Sequence, residues 1–208
     1  MSRENLIVRY RAIERINHWI VAFCFVLLAL SGLALFYPAF FWLTGVFGTP
    51  QLARIIHPFV GVVMFTGFSV MFLRYWKHNL VNREDIKWMM AVGTVLKGGE
   101  VGDTGKYNGG QKGMFWLMAG CLLVMLVTGF IMWRPYFAPM FPIPLIRLAL
   151  LFHAWSALIL IAGIIIHVYA AIWVKGTIRA MVEGVVTASW ARSHHPKWLR
   201  EMQAKPRK

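Results

Sequence analysis

One run of this chain admits few folds. Residues 148–174, LALLFHAWSALILIAGIIIHVYAAIWV, contain no Lys, Arg, Asp or Glu. A helix of that length exceeds the roughly 30 Å of bilayer hydrocarbon. The run also holds His153 and His167, fourteen residues apart. In an α-helix that spacing is about 21 Å of rise and within about 40° of four whole turns. Both imidazoles therefore leave one face of the helix at two heights. Ionisable side chains are costly in hydrocarbon, and a pair placed this way marks function rather than packing.

The composition agrees with a membrane protein: 59% of residues are hydrophobic and only 14% are charged. The formal net charge of +14 lies in margins around uncharged runs, a pattern that speaks against nucleic-acid binding and for basic edges of a membrane domain. Cys24 and Cys121 each sit inside an apolar run, with no C-x-x-C-H sequence. Covalent haem attachment is excluded, and two thiols are too few for an iron–sulfur cluster. Both read as small buried residues. The opening MSRENLIVRYRAIERINHW is longer and more polar than a signal-peptide n-region, so the first apolar run is expected to stay.

Four runs predict spans at about 16–36, 55–76, 113–133 and 148–175 within a single membrane domain over residues 1–208. Thr49-Pro50 offers an N-cap and first-turn pair that would start the second helix early, whereas Pro58 after His57 marks a kink or a later start. The intervening YPAFFWLTGVFGTPQ is aromatic and uncharged, an interfacial segment with Tyr37 and Trp42 at headgroup level. Lys and Arg crowd three segments: the N-terminus (Arg3, Arg9, Arg11, Arg15), the connection 77–112 (Lys77, Arg83, Lys87, Lys97, Lys106, Lys112) and the tail 176–208 (Arg179, Arg192, Lys197, Arg200, Lys205, Arg207, Lys208). The positive-inside rule then places both termini and the middle connection in the cytoplasm. Within that connection VNREDIKWMMAVGTVL reads as a short amphipathic helix, capped by Asn82, with Trp88, Met89 and Val92 on its apolar side. The fold expected is an all-α membrane protein of four transmembrane helices.

Four histidines lie in or at the edge of spans. His18 follows Arg15 at the cytoplasmic start of the first span, and His57 stands at the outer start of the second. His153 is near the outer end of the fourth span and His167 nearer its cytoplasmic end. Sorted by height they form two pairs, His57 with His153 outside and His18 with His167 inside. Two stacked b-type haems with bis-imidazole ligation need that arrangement. A metal-transport reading lacks the accompanying intramembrane carboxylates or thiolates. His78, His194 and His195 read as surface residues or partner contacts. Gly32, Gly61, Gly67, Gly129 and Gly163 suit either flat macrocycles or close helix packing, and Arg54 suits either haem propionates or snorkelling to the interface.

INHW, GTPQLARIIHPFVG, GKYNGGQKGMFW, TGFIMWRPYF, IIIHVYAAIWVKGTI and HHPKWLRE carry a more specific resemblance. Together they resemble the γ subunits of bacterial respiratory formate dehydrogenases, four-helix dihaem cytochromes b. The likeness runs from about residue 6 to 201. It implies two haem b groups, on the periplasmic side through His57 and His153 and on the cytoplasmic side through His18 and His167. It also implies menaquinone reduction near the cytoplasmic haem at a site that includes Asn108 and Gly110, with Gln111 close by. The residue between Asn and Gly is variable in the family and is Gly109 here. Read without the resemblance, KYNGGQK is an ordinary Gly-rich turn before the third span. The partners implied are an iron–sulfur β subunit and a molybdenum- or tungsten-containing catalytic α subunit, alongside quinone and membrane lipid, in a complex of which higher oligomers are compatible. The location implied is the bacterial inner membrane. Cytochrome b subunits of nickel–iron hydrogenases and sulfur-compound reductases share the histidine logic, and a stand-alone membrane quinone oxidoreductase is the third reading. The chain offers no formate-oxidising site of its own.

Overall fold

The computed structural model describes residues 6–96, 103–134 and 136–204, with the side chains of 95 and 96 left aside. Readings that rest on Arg3, Lys97 and residues 205–208 lie outside that set. In chain order the α-helices are α1 (Ala12–Phe36), α2 (Pro50–Tyr75), α3 (Arg83–Met90), α4 (Val92–Leu96), α5 (Gly109–Met132), α6 (Ile143–Trp173), α7 (Thr177–Val182), α8 (Ala188–His194) and α9 (Pro196–Ala204). Four of them, α1, α2, α5 and α6, are long and apolar enough to cross a membrane, α2 being prolonged to Asn79 by a 3-10 turn.

Each long helix reaches past the uncharged run that announced it, because a helix is bounded by caps rather than by charges. α1 takes in Glu14 and Arg15, and Glu14 accepts a 2.7 Å hydrogen bond from the Arg11 amide at its start. Thr49 and Pro50 do start α2: the Leu52 amide donates to the Thr49 hydroxyl at 3.2 Å, and the helix runs on through Pro58. α6 begins at Ile143, five residues early, and carries Arg147 inside it. The interfacial stretch is a 3-10 helix over Pro38–Phe47.

The chain divides into two compact units. One comprises residues 16–73 and 117–166, the middles of the four long helices. Its core is Val21, Cys24 and Leu28 from α1, Met64 and Phe68 from α2, Leu122 from α5 and Leu160 from α6. Gly67 is a close-packing glycine: a Cβ there would lie 2.8 Å from Val21, and the Gly67 carbonyl accepts from Asn17 at 2.9 Å. Cys24 and Cys121 are free thiols. Only 11–28% of the residues in the most apolar window of each long helix are buried, so most of these apolar surfaces are left to lipid or partner helices.

The other unit gathers the chain up to Arg15, residues 74–116 and everything from His167 on. Here the tail is folded. A strand β1 (Leu6–Val8) pairs antiparallel with β2 (Val185–Thr187), Ile7 opposite Val186, over a core of Ala180, Val186, Ala191, Trp198 and Leu199. Gly184, at φ +86°, brings its backbone against Tyr10, where a Cβ would stand 2.6 Å from the carbonyl oxygen. Its own carbonyl accepts from the Arg9 amide at 2.8 Å. His195, expected at the surface, is only 2% exposed. Its Nδ1 lies 2.7 Å from the Gly105 carbonyl and its Nε2 lies 3.2 Å from Arg9. Arg9 is itself buried; it donates to the Lys106 carbonyl at 2.8 Å and lies over the Trp190 and Trp198 rings. Sequence polarity misplaced this histidine because its partner arginine is 186 residues away. His78 and His194 are exposed, as expected.

The amphipathic stretch breaks at Ala91 into α3 and α4, and Met89 and Val92 are exposed rather than packed. Asn82 does cap α3, in a reciprocal box with Asp85: the Asp85 amide donates to Asn82 at 3.0 Å and the Asn82 amide to Asp85 at 2.8 Å. Asp85 also receives Lys112 Nζ at 2.6 Å, both side chains being 8% exposed. The Leu80 carbonyl accepts from the same ammonium at 3.1 Å.

Two expectations follow for stability. Lys112→Ala leaves a buried carboxylate without its cation and should destabilise this unit by about 3 kcal/mol, read by thermal unfolding in detergent. Burial, with the Arg9 charge beside it, lowers the His195 pKa from 6.5 to about 3. Below the unfolded value the unfolded chain takes up a proton that the folded imidazole refuses, so stability should fall as pH drops from 6.5 toward 3. The slope should approach about 1.4 kcal/mol per pH unit and should be absent in His195→Asn.

Candidate functional site

In the unit formed by the helix middles, two histidines share one arrangement. His57, eight residues into α2, has Nδ1 at 2.7 Å from the hydroxyl of Ser31 on α1. His153 on α6 has Nδ1 at 2.9 Å from the hydroxyl of Thr128 on α5. Each ring is part-buried, and Ser31 and Thr128 are buried. A glycine follows each hydroxyl residue, and a Cβ at Gly32 or Gly129 would stand 3.5 Å from Cε1 of the neighbouring ring. That is ordinary contact, so the protein alone would admit alanine at both positions. Of the glycines singled out in sequence, Gly32 and Gly129 stand beside the two rings, whereas Gly67 serves helix packing and Gly61 has no neighbour where its Cβ would stand.

The donor set is two neutral nitrogen bases with their Nδ1 atoms already engaged. That chemistry suits an iron porphyrin and offers no thiolate or carboxylate for a harder or softer ion. Among the described residues no cluster of three or more His, Cys, Asp or Glu is placed to hold a bare metal ion. Arg54 lies one turn before His57 and, with Tyr37 and Phe41, lines a cleft of about 430 Å³. His18 and His167 are divided between the two units. His18 is part-buried on α1 with its ring edge-on to Trp19 at 5.4 Å, and His167 is exposed on α6.

Asn108, Gly110 and Gln111 form the start of α5. The Gln111 amide donates to Asn108 Oδ1 at 2.8 Å and the Asn108 amide to Gln111 Oε1 at 3.0 Å, a reciprocal capping box. The helix therefore begins at Gly109, four residues ahead of the expected 113. A Cβ on Gly109 would lie 2.6 Å from the Asp85 carbonyl oxygen, and one on Gly110 2.9 Å from the Trp88 ring. Both glycines let α5 start against α3. Beside them opens a cleft of about 470 Å³ whose lining includes Trp88, Tyr107, Asn108, Gly109 and Lys112. Burial and the neighbouring Tyr10 raise the Tyr107 pKa well above its ordinary value, so this phenol stays a neutral donor. The Asn108 amide nitrogen is left out of the capping box.

Residues 9–184 match the family model described as prokaryotic cytochrome b561. The chain belongs to the prokaryotic cytochrome b561 family. It is 59% identical over 203 residues to the formate dehydrogenase cytochrome b556(fdo) subunit of Escherichia coli K12, covering 98% of this chain and 96% of that one. The nitrate-inducible cytochrome b556(Fdn) subunit of the same organism is 50% identical over 205 residues, covering 98% and 94%. The cytochrome b556 subunit of formate dehydrogenase from Haemophilus influenzae is 50% identical over 203 residues, covering 97% and 85%. Membership in a cytochrome b family implies haem b, and the His57 and His153 surroundings fit it. The family match stops before β2, α8 and α9, whereas the cytochrome b556 relatives are covered nearly throughout.

Sequence reasoning missed Ser31 and Thr128. The signal available was a hydroxyl residue followed by glycine, occurring within two separate apolar spans. It also missed the capping role of Asn108 and Gln111, although the N-x-x-Q spacing was legible. Asn108→Ala should destabilise by about 1 kcal/mol through loss of the cap. Asn108→Asp should not, and thermal unfolding of the two variants separates them.

Proposed function

We propose that this cytochrome b is the dihaem subunit of a membrane-bound formate dehydrogenase. In this reading it passes electrons from a periplasmic-side catalytic subunit, through an iron–sulfur subunit, to menaquinone reduced near the cytoplasmic face. The observation that carries it is the matched pair of hydroxyl-anchored imidazoles, His57 with Ser31 and His153 with Thr128, in a chain 59% identical to a formate dehydrogenase cytochrome b556 subunit. Bound haem b supplies a one-electron relay. His57 and His153 hold the periplasmic-side group, and His18 with His167 the cytoplasmic-side one. Basic residues of the N-terminus, the 77–112 connection and the tail keep those segments in the cytoplasm, and Arg54 is placed to meet propionates.

Asn108 has two separable jobs in this reading. Its Oδ1 caps α5, while its amide N–H groups donate to a quinone carbonyl in the adjoining cleft. Gly110 gives close backbone approach, and Gln111 holds the Asn108 backbone in place. The partners are an iron–sulfur subunit and a molybdenum- or tungsten-containing catalytic subunit in the inner membrane.

In the purified native complex, His153→Ala should remove about half of the b-type absorbance in a reduced-minus-oxidised spectrum and abolish reduction by formate. Reduction of the wild-type haem by hydrogen but not by formate would overturn the donor assignment. Asn108→Asp should keep both haems reducible by formate while slowing menaquinone reduction by one to two orders of magnitude, roughly the 1.5–3 kcal/mol of a charge- or dipole-matched hydrogen bond. Unimpaired quinone reduction in that variant would remove Asn108 from the site.

A further inference from the structure

We infer that Ser31 and Thr128 are positioning residues that fix the tautomer of His57 and His153, presenting Nε2 of each as a lone pair toward the bound iron. The inference rests on the haem reading of these two histidines and adds to it what sets their protonation and orientation.

The argument is a count of protons. A serine or threonine hydroxyl has one hydrogen to donate. Ser31 Oγ lies 2.7 Å from the Leu27 carbonyl oxygen and 3.3 Å from that of Leu28. Thr128 Oγ1 lies 2.6 Å from the Val124 carbonyl oxygen and 3.4 Å from that of Met125. Two oxygens cannot sit that close without a proton between them, and a carbonyl has none to give. The hydroxyl proton of each residue is therefore committed to its own helix backbone, the usual back-bond of a hydroxyl within a helix. At 2.7 and 2.9 Å from the hydroxyl oxygens, the two Nδ1 atoms then have to be the donors. In the neutral ring Nδ1–H leaves the lone pair on Nε2, the state in which an imidazole binds a metal.

The same contact fixes the ring plane. Each ring is held through one nitrogen to an oxygen that cannot turn away without losing its backbone bond. Ser31 is fully buried and Thr128 is 7% exposed, so water does not replace either acceptor freely. The two sites use different hydroxyl residues on different helices, yet place the following glycine at the same 3.5 Å from Cε1. A hydroxyl present only to pack its helix has no reason to repeat the glycine and the ring contact together.

An acceptor on Nδ1–H also makes the ligand a stronger electron donor to bound iron, which favours the oxidised state. The test uses the purified native complex carrying Ser31→Ala or Thr128→Ala, with Ser31→Thr and Thr128→Ser as the conservative exchanges. Potentiometric titration of the b-type bands should show the periplasmic-side haem shifted to higher potential in each alanine variant and restored in each conservative one. The low-spin ferric EPR signal of that haem should change its anisotropy in the alanine variants alone. Where an alanine variant fails to assemble, Ser31→Cys, of similar size but weak as an acceptor, should show the same upward shift. Potentials and EPR signals unchanged in Ser31→Ala, Ser31→Cys and Thr128→Ala would overturn the inference. Absence of b-type bands in the wild-type complex would instead overturn the haem reading beneath it.

Discussion

An imidazole in hydrocarbon has two nitrogens and no water, and each nitrogen needs something to do. In the unit formed by the helix middles, that constraint is met on one side by hydroxyls from neighbouring helices. α1 meets α2 through Ser31 and His57, and α5 meets α6 through Thr128 and His153. These bonds act where apolar packing alone gives no register, since lipid and leucine are equally good neighbours for a smooth helix face. Polar contacts and glycines, Gly67 under Val21 among them, supply the register that burial cannot.

The second unit is held on different terms. Its core is small, and the buried cations Lys112 and Arg9 have partners there: Asp85 for Lys112, and the Lys106 carbonyl and the indoles of Trp190 and Trp198 for Arg9. Two capping boxes, Asn82 with Asp85 and Asn108 with Gln111, begin the helices that pack there, and Asp85 belongs both to a box and to the ion pair. One carboxylate thereby ties the start of α3 to the first turns of α5. The cleft beside Asn108 is framed by residues that already serve structure, which is why a binding role there has to be separated from a capping role atom by atom.

Much of this was legible in the residues. Four long helices follow from four uncharged runs, and the special heights of His153 and His167 follow from a spacing of fourteen. Thr49-Pro50 announced the start of α2 and Asn82 that of α3. What was not legible depended on distant partners. His195 reads as a polar tail residue until Arg9 and the Gly105 carbonyl are beside it. Ser31 and Thr128 carry no mark within their apolar runs until the rings of other helices reach them. The helices run past the expected spans at Arg15 and Arg147, because the backbone stops at caps and not at charges.

The pairing of Ile7 with Val186 has a consequence for the order of assembly. A chain is made from its N-terminus, and domains form as their parts emerge. All four long helices precede β2 in the chain, and β1 pairs with a strand from the far side of all of them. His195, which holds the Gly105 carbonyl, arrives later still. The helices bearing His18, His57, His153 and His167 are thus complete before the loop at Asn108 acquires its final support. Chain order thus places the four long helices ahead of the segment that fastens the loop before α5.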